Sequence, residues 1–493
     1  MTGNAGVVLP QACLVCGAFV VYLLGRLLKT HNEVLALFTA LFFGVALGLL
    51  MPLFKLTQAG DLPVWGHLGP AGAFLRADPG ALLVAGVALG LGLLVAIYSG
   101  RYLARDRRYE TYYPLLLLLV VGLMGVVLAA DLFNLYMFSE LMSIAAYALV
   151  AFRRRLGTAI EAGFKYLVMG SVGAVTMLLG ISLVYRVTGT LTLTRATGTP
   201  ELWTRAGLAC LLVGLGIKSA VVPLHTWVPD AHGRAPSTVS AMLSGIVIQS
   251  SFYALLKVGL ALGLPAYDLG TLLIVLSLVQ MTLGNGLALV QTYTKRLLAY
   301  SSIAHVGYFM LTVGIGLRYD VALAIQAGFF LLLAHAAMKG LAFLCNGLCY
   351  FYCNATTIKQ LRGTATQLPL VAAAFTVAVA GLAGVPPLAG FASKWFVLTG
   401  ALRSADAVGY IGLTVFLVNS LLSLGYYLPL IGTLFARVTP EGSKTLEPSI
   451  RVSPLMTLPL VVLGMLVLAI GLHPQPWLDI TALAGDYLGA VGR

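Results

Sequence analysis

Residues 214–237 read GLGIKSAVVPLHTWVPDAHGRAPS, and this stretch decides the fold. Lys218 stands inside an apolar run from Gly207 to Val222, and Pro223 follows within the next turn. A lysine near the middle of a membrane span costs roughly 3 kcal/mol or more to insert, so packing alone seldom places one there. The proline frees backbone carbonyls, which are tolerated at membrane depth only beside protein, water or polar partners. A buried lysine and a broken helix together point to an ion path.

The surrounding composition agrees. The chain has 493 residues, 59% hydrophobic and only 10% charged, with a mean hydropathy of +0.95. Soluble domains carry roughly 25% charge, so this is a polytopic membrane protein, read as one domain over 1–493. The net charge of +13 does not indicate nucleic-acid binding, because the basic residues are scattered over short loops. Six cysteines in a membrane protein of this length do not form a disulfide framework. The run Val7 to Leu28 lacks a basic leader and reads as a first span rather than a signal peptide.

A span takes about 20 apolar residues. The pattern predicts fourteen, at 7–28, 34–54, 81–100, 113–130, 131–151, 163–186, 207–226, 238–261, 269–291, 297–317, 321–351, 369–400, 408–434 and 454–472. Asp131 marks a tight turn between the fourth and fifth. Loops after odd-numbered spans hold 18 of the 30 basic residues, the opposite side holds 8, and Lys218, Lys257, Lys339 and Lys394 fall inside spans. By the positive-inside rule the odd loops are cytoplasmic and both termini lie outside, in a prokaryotic plasma membrane. Residues 55–80 form the one sizeable external loop. Of the seventeen acids, only Glu140 is placed deep in a span.

Two spans read as interrupted. The seventh breaks at Pro223. The twelfth contains GLAGVPPLAGFASKW, with Pro386 and Pro387 ahead of Lys394. A straight helix of that segment would run about 48 Å, against a bilayer core of about 30 Å. Interrupted segments in both halves suggest an inverted repeat with ion sites at the breaks. The first repeat is set at about 113–261 and the second at about 269–434, with peripheral helices in 1–100 and 454–472.

Five features carry the chemistry: Glu140, Lys218, His305, the pair His335 and Lys339, and Lys394. His335 and Lys339 are four residues apart and share a helix face. His305 lies in YSSIAHVGY, near Ser301, Ser302 and Tyr308. Burial disfavours the charged form of a lysine or a glutamate, and a carboxylate beside a lysine restores it. A chain of such groups can therefore link charge at one end to proton release at the other. Blander readings stand beside this one. Glu140 can be a structural partner of one lysine, Lys257 can snorkel from the outer end of its span, and His335 can simply bond a carbonyl. His225 and His232 read as structural. Cys345, Cys349 and Cys353 form one helical stripe, read as packing rather than metal binding. Gly86 and Gly90 read as a close helix contact. No cofactor motif, metal cluster or nucleotide site is expected.

The segments DLFNLYMFSE, KSAVVPLHTWVPDAHGRAPSTVSAMLSG, TKRLLAYSSIAHVGY, HAAMKGLAFLCNG and GVPPLAGFASKW resemble the antiporter-like subunits shared by respiratory complex I, Mrp-type cation/proton antiporters and membrane-bound hydrogenases. The resemblance covers roughly residues 80–430. It implies an all-α fold of fourteen core helices, two inverted five-helix repeats with helices 7 and 12 broken, and a hydrophilic axis along the membrane midplane. It implies that Glu140 pairs with Lys218, that Lys394 is the ionisable residue of the twelfth span, and that His305 and His335 match the family's histidines. One departure is clear: Gln249, in SGIVIQSSFYALLK, stands where the family commonly carries a lysine or histidine. Lys257, two turns on, or water would then complete the path. The length is expected to match the shorter complex I paralogues or an Mrp D-type subunit.

The function implied is proton translocation by a membrane subunit of a larger assembly that is complex I-like, Mrp-like or hydrogenase-like, in contact with the lipid bilayer and other membrane subunits. Rival readings are an Mrp-type sodium/proton antiporter subunit, with Na+ as the alternative ion; a subunit of a hydrogenase or inorganic-carbon uptake complex; a quinone-binding membrane subunit; and a freestanding transporter.

Overall fold

Apolar runs of this length leave their backbone no partner in lipid except itself, so they fold as helices. The computed structural model describes residues 4–27, 31–66, 74–106, 108–193, 202–404, 406–437 and 452–492. Lys29, Arg107, Arg195, Lys444, Arg451 and Arg493 of the charge count lie outside the described residues. In chain order the elements are α1 (Leu9–Leu27), α2 (Asn32–Gln58), a hairpin of β1 (Val64–Gly66) and β2 (Phe74–Arg76), α3 (Pro79–Tyr102), α4 (Tyr109–Leu128), α5 (Leu132–Val150), α6 (Gly157–Thr188) and α7 (Leu202–Lys218). Then come α8 (Trp227–Arg234), α9 (Ser237–Met242), α10 (Ile248–Ala261), α11 (Ala266–Leu289), α12 (Thr294–Tyr319), α13 (Ala322–Cys353) and the single turn α14 (Thr364–Gln367). The chain closes with α15 (Pro369–Ala383), α16 (Ala389–Ala401), α17 (Ala407–Phe435), α18 (Pro454–Leu472) and α19 (Gln475–Gly492).

Twelve helices among the described residues are long and apolar enough to cross a membrane. One of them, Ser237–Ala261, combines α9 and α10 through a π-helical turn at Leu243–Val247. Of the two remaining expected segments, 207–226 takes in most of α7 and the turns that follow it up to the start of α8, and 369–400 falls on the pair α15 and α16. Neighbouring helices approach closely where glycine removes the side chain. A Cβ on Gly180 of α6 would lie 2.6 Å from the Gly207 carbonyl of α7, and one on Gly314 of α12 would lie 2.9 Å from the Gly270 carbonyl of α11. Ser237–Ala261, α12 and α13 form the buried centre.

Two expectations are corrected, and one helix is added that no expectation covered. Residues 55–80 are not merely a loop: β1 and β2 pair antiparallel, with Trp65 opposite Leu75, and the Phe74 N–H donates to Asp131 at 2.9 Å. Residues beyond 472 form α19, whose Thr481, Ala484 and Leu488 are buried at helical spacing; Asp479 and Asp486 dilute that apolar signal in the sequence. Gly86 and Gly90 make no close helix contact. They line an apolar cavity of about 590 Å3, and a Cβ on Gly90 would meet nothing within 4 Å.

Candidate functional site

The site begins where α7 stops. Lys218 is the last residue of α7 and donates to Glu140 Oε1 on α5 at 2.9 Å and to Ser143 Oγ at 2.6 Å. The lysine side chain is 4% exposed and the carboxylate 25%. Glu140 lies in the middle of α5, beside an exposed apolar face made by Phe133, Met137 and Ile144. Asp78 and Asp131, expected in a loop and at a span end, are fully buried. Both are helix N-caps, accepting from the Ala81 and Asn134 N–H groups, and capping positions are invisible to a count of charges along spans.

The freed backbone at the first break is taken up by side chains. The Gln280 amide on α11 donates to the Ala220 carbonyl at 2.9 Å and accepts from the Val222 N–H at 2.6 Å. The Trp227 indole donates to the Ile217 carbonyl at 2.9 Å. At the second break, Gly384 adopts φ 90°, and Lys394 on α16 donates to the Ala383 carbonyl at 2.8 Å. Lys394 is partly buried and turns inward, 5.8 Å from the Tyr308 ring centroid.

Between the breaks lies a cluster. Gln249 Nε2 and His335 Nδ1 are 2.6 Å apart, and the His335 and His305 ring centroids are 5.0 Å apart. His305 Nδ1 is 2.8 Å from the Ser301 carbonyl. A carbonyl only accepts, so Nδ1 carries the hydrogen and Nε2 is left as the acceptor. Lys339 donates to the Leu298 carbonyl at 2.8 Å and to the Ser301 hydroxyl. Ser301 therefore holds both the histidine and the lysine. Ser302 adds a 2.6 Å bond to Ser244 in the π turn. Such turns occur often at functional sites. Among the described residues, no carboxylate lies within ion-pair distance of Lys339 or Lys394, and Gln249 Oε1 and His335 Nε2 are buried without a hydrogen-bond partner. The Lys218 pair and the cluster meet through their neighbours: Ser250, next to Gln249, contacts the Met142 sulfur, next to Ser143, at 3.9 Å.

Sequence reasoning missed a polar group beyond Tyr308. Asn285 bonds Tyr308 at 3.1 Å, Asn419 at 3.0 Å and Tyr426 at 2.8 Å. Isolated amides and phenols in apolar spans were the available signal.

Lys257 stands apart from this row. It does not snorkel: it is 7% exposed and bonds Asp78 at 3.0 Å, the Val127 carbonyl at 2.9 Å and the Ala129 carbonyl at 3.2 Å. The Tyr253 hydroxyl donates to the same aspartate. His225 is 8% exposed and His232 is fully buried. His232 stacks on Phe343 at 5.3 Å, with both ring nitrogens unpartnered among the described residues. Cys345 and Cys349 are buried and Cys353 half-buried, all as free thiols.

Residues 129–423 match the family described as NADH:quinone oxidoreductase/Mrp antiporter, TM. The F(420)H(2) dehydrogenase subunit N of Methanosarcina mazei is 35% identical over 418 residues, covering 82% of each chain. The NADH-quinone oxidoreductase subunit N of Desulforudis audaxviator is 34% identical over 429 residues, covering 82% of this chain and 83% of that one. Among solved structures, a chain of the membrane-bound sulfane sulfur reductase, an archaeal respiratory membrane complex, superposes with a TM-score of 0.88 at 27% identity. The match covers 99% of this chain and 98% of that one. The buried lysine at a helix break, the carboxylate beside it and the central histidines thus sit in a multi-pass membrane protein that belongs to the NADH:quinone oxidoreductase/Mrp antiporter family of antiporter-like membrane subunits.

Proposed function

We propose that this chain moves protons along a buried row from Glu140 and Lys218, past Gln249, to His335, His305 and Lys339, and on through Tyr308 to Lys394. The observation that carries this reading is the unequal distribution of counter-charge. Lys218 has a carboxylate at 2.9 Å, whereas among the described residues Lys339 and Lys394 have only carbonyl and hydroxyl acceptors or a ring face. A buried ammonium without a counter-charge is costly, so a proton on the second half of the row is poised to leave. Moving Glu140 away from Lys218 would drive the first proton on towards the cluster. Gln249 cannot carry the proton, but its unpartnered Oε1 and the unpartnered His335 Nε2 can both bond water. Access from the odd-loop side is supported by His232 and by Asn346, whose buried Nδ2 also lacks a partner and which lines a cavity of about 360 Å3 beside Asp230 and Lys295.

The named relatives support a place beside other membrane subunits in a proton-translocating oxidoreductase. Fourteen crossings follow if each interrupted pair counts as one span. The inverted repeats at 113–261 and 269–434 are supported by position, since the interrupted span is the fourth of five in each. The excess of basic residues in odd loops favours both termini outside, in a plasma membrane. The test is Glu140→Gln in the intact complex, with assembly checked on a native gel. It should abolish pH-gradient formation in inverted vesicles, and wild-type pumping by an assembled variant would overturn the proposal.

A further inference from the structure

A large polar concavity lies away from the row, at the odd-loop ends of α3, α5 and α13. It has a volume of about 750 Å3. Among the described residues, five arginines line it, Arg105, Arg108, Arg153, Arg154 and Arg155, against one acid, Asp106. Two of the arginines are fixed. Arg153 makes a forked bond to Asp106, Nε at 3.1 Å and Nη2 at 3.0 Å, and lies over the Tyr102 ring at 5.4 Å. Arg105 donates to the Phe351 carbonyl at 3.0 Å and stacks on that ring at 4.2 Å. Arg108, Arg154 and Arg155 are exposed, and among the described residues none of them pairs with a carboxylate.

The positive-inside rule explains why arginines stand on this side. It does not explain an aromatic floor under them or a concavity between three helix ends. Planar guanidiniums in a cluster fit phosphate oxygens by forked hydrogen bonds. Basic pockets between membrane helices suit lipid head groups. A second feature separates a lipid from a soluble anion. Leu156 lines the cavity and opens a stripe down the outer face of α6 through Ile160, Phe164 and Leu167, which are 48%, 49%, 63% and 42% exposed. An acyl chain can lie along that stripe while its phosphate stays at the arginines.

We propose that this cavity is a binding site for an anionic phospholipid, with the phosphodiester held by Arg108, Arg154 and Arg155 and an acyl chain on the α6 stripe. The site bridges the end of α5, which carries Glu140, and the end of α13, which carries His335 and Lys339. It stands independently of the proton reading.

The test is native mass spectrometry of the whole detergent-extracted complex, stripped of lipid and then titrated with phosphatidylglycerol or with phosphatidylcholine of the same chain length. The wild type should retain one phosphatidylglycerol that the Arg108→Gln/Arg154→Gln/Arg155→Gln variant binds at least roughly tenfold more weakly, since each basic group near a lipid surface counts for about 1 kcal/mol. Should that variant fail to assemble, Ile160→Gln/Phe164→Gln tests the same idea by removing the acyl track and leaving the charges. Phosphatidylglycerol retention should fall in it. Equal retention of both lipids by the wild type, or unchanged retention in the assembled variants, would overturn the proposal. Displacement of the lipid by inorganic phosphate alone would overturn it in favour of a soluble-anion site. Cross-links from an acidic segment of a neighbouring subunit into the unlipidated cavity, with no lipid uptake, would make it a protein interface.

Discussion

Two lysines of this chain are both buried and are differently surrounded. Lys257 reaches three oxygens, one of them the Asp78 carboxylate, which is also held by the Tyr253 hydroxyl and the Ala81 N–H. Every strong hydrogen-bonding direction there is filled by protein, and the clasp ties the start of α3 to α10 and the end of α4. Lys339 reaches a carbonyl and one hydroxyl and, among the described residues, meets no carboxylate and stands near histidine and glutamine atoms that are themselves unpartnered. Saturation makes a lock. Open valence with no counter-charge beside it is the pattern on which the proposed proton row rests. Burial alone does not tell the two apart; the inventory of partners does.

The contrast can be broken by exchanging the two phenotypes. The largest effect is expected at Lys339. Lys339→Met should leave the complex assembled and melting close to the wild type, while pumping in inverted vesicles falls by roughly tenfold or more. A variant that unfolds instead would make Lys339 a second lock. Lys257→Met should do the reverse. It leaves the Asp78 charge buried without its counter-charge, a loss of about 3–5 kcal/mol, read as a lower thermal midpoint or lost assembly. Asp78→Asn with Lys257→Met should recover most of that loss. If pumping stops in an assembled Lys257→Met complex of normal stability, the outer lysine belongs to the row after all.

Finer tests sharpen the open side. Gln249→Leu removes the amide that faces His335 and gives water no partner, so transfer should slow by several-fold, whereas Gln249→Lys should be tolerated. Stopped-flow pH measurements on the two vesicle preparations would show it. Full activity in Gln249→Leu would mean that protons do not cross there. The smallest effect is expected at Gly384. A Cβ there would lie 2.8 Å from Lys394 Cδ, on a backbone at φ 90°. Gly384→Ala should therefore cost about 1 kcal/mol and shift Lys394, with a partial loss of pumping. Unchanged pumping would show that Lys394 need not sit at the break.

Much of this was legible in the sequence because membrane burial makes a single polar residue conspicuous. Lys218, Glu140, His305, His335, Lys339 and Lys394 stand out in apolar runs, and the breaks are written in prolines and glycines. The partners were harder. Asp78 and Asp131 lie just before helices, where a carboxylate reads as a solvated loop residue until its cap and its distant lysine or strand are seen. Gln280 lies in the middle of α11, and nothing nearby in sequence says that it repairs a break sixty residues earlier. The π turn at Leu243–Val247 has no proline to announce it. Those features depend on which helix lies beside which.

The quarter exposure of Glu140 has an electrical consequence. Two unit charges 4 Å apart attract by about 1 kcal/mol in water and about 4 kcal/mol at an effective dielectric of 20. One edge of the Glu140–Lys218 pair lies at the perimeter of the chain, beside Phe133, Met137 and Ile144. Whatever packs against that edge acts as insulation, and insulation sets the gain. Sealed by a dry neighbour, a small displacement of the carboxylate changes the energy of the lysine several-fold more than the same displacement against water. In the proposed relay, the leverage of the pair would thus be tuned from outside the chain.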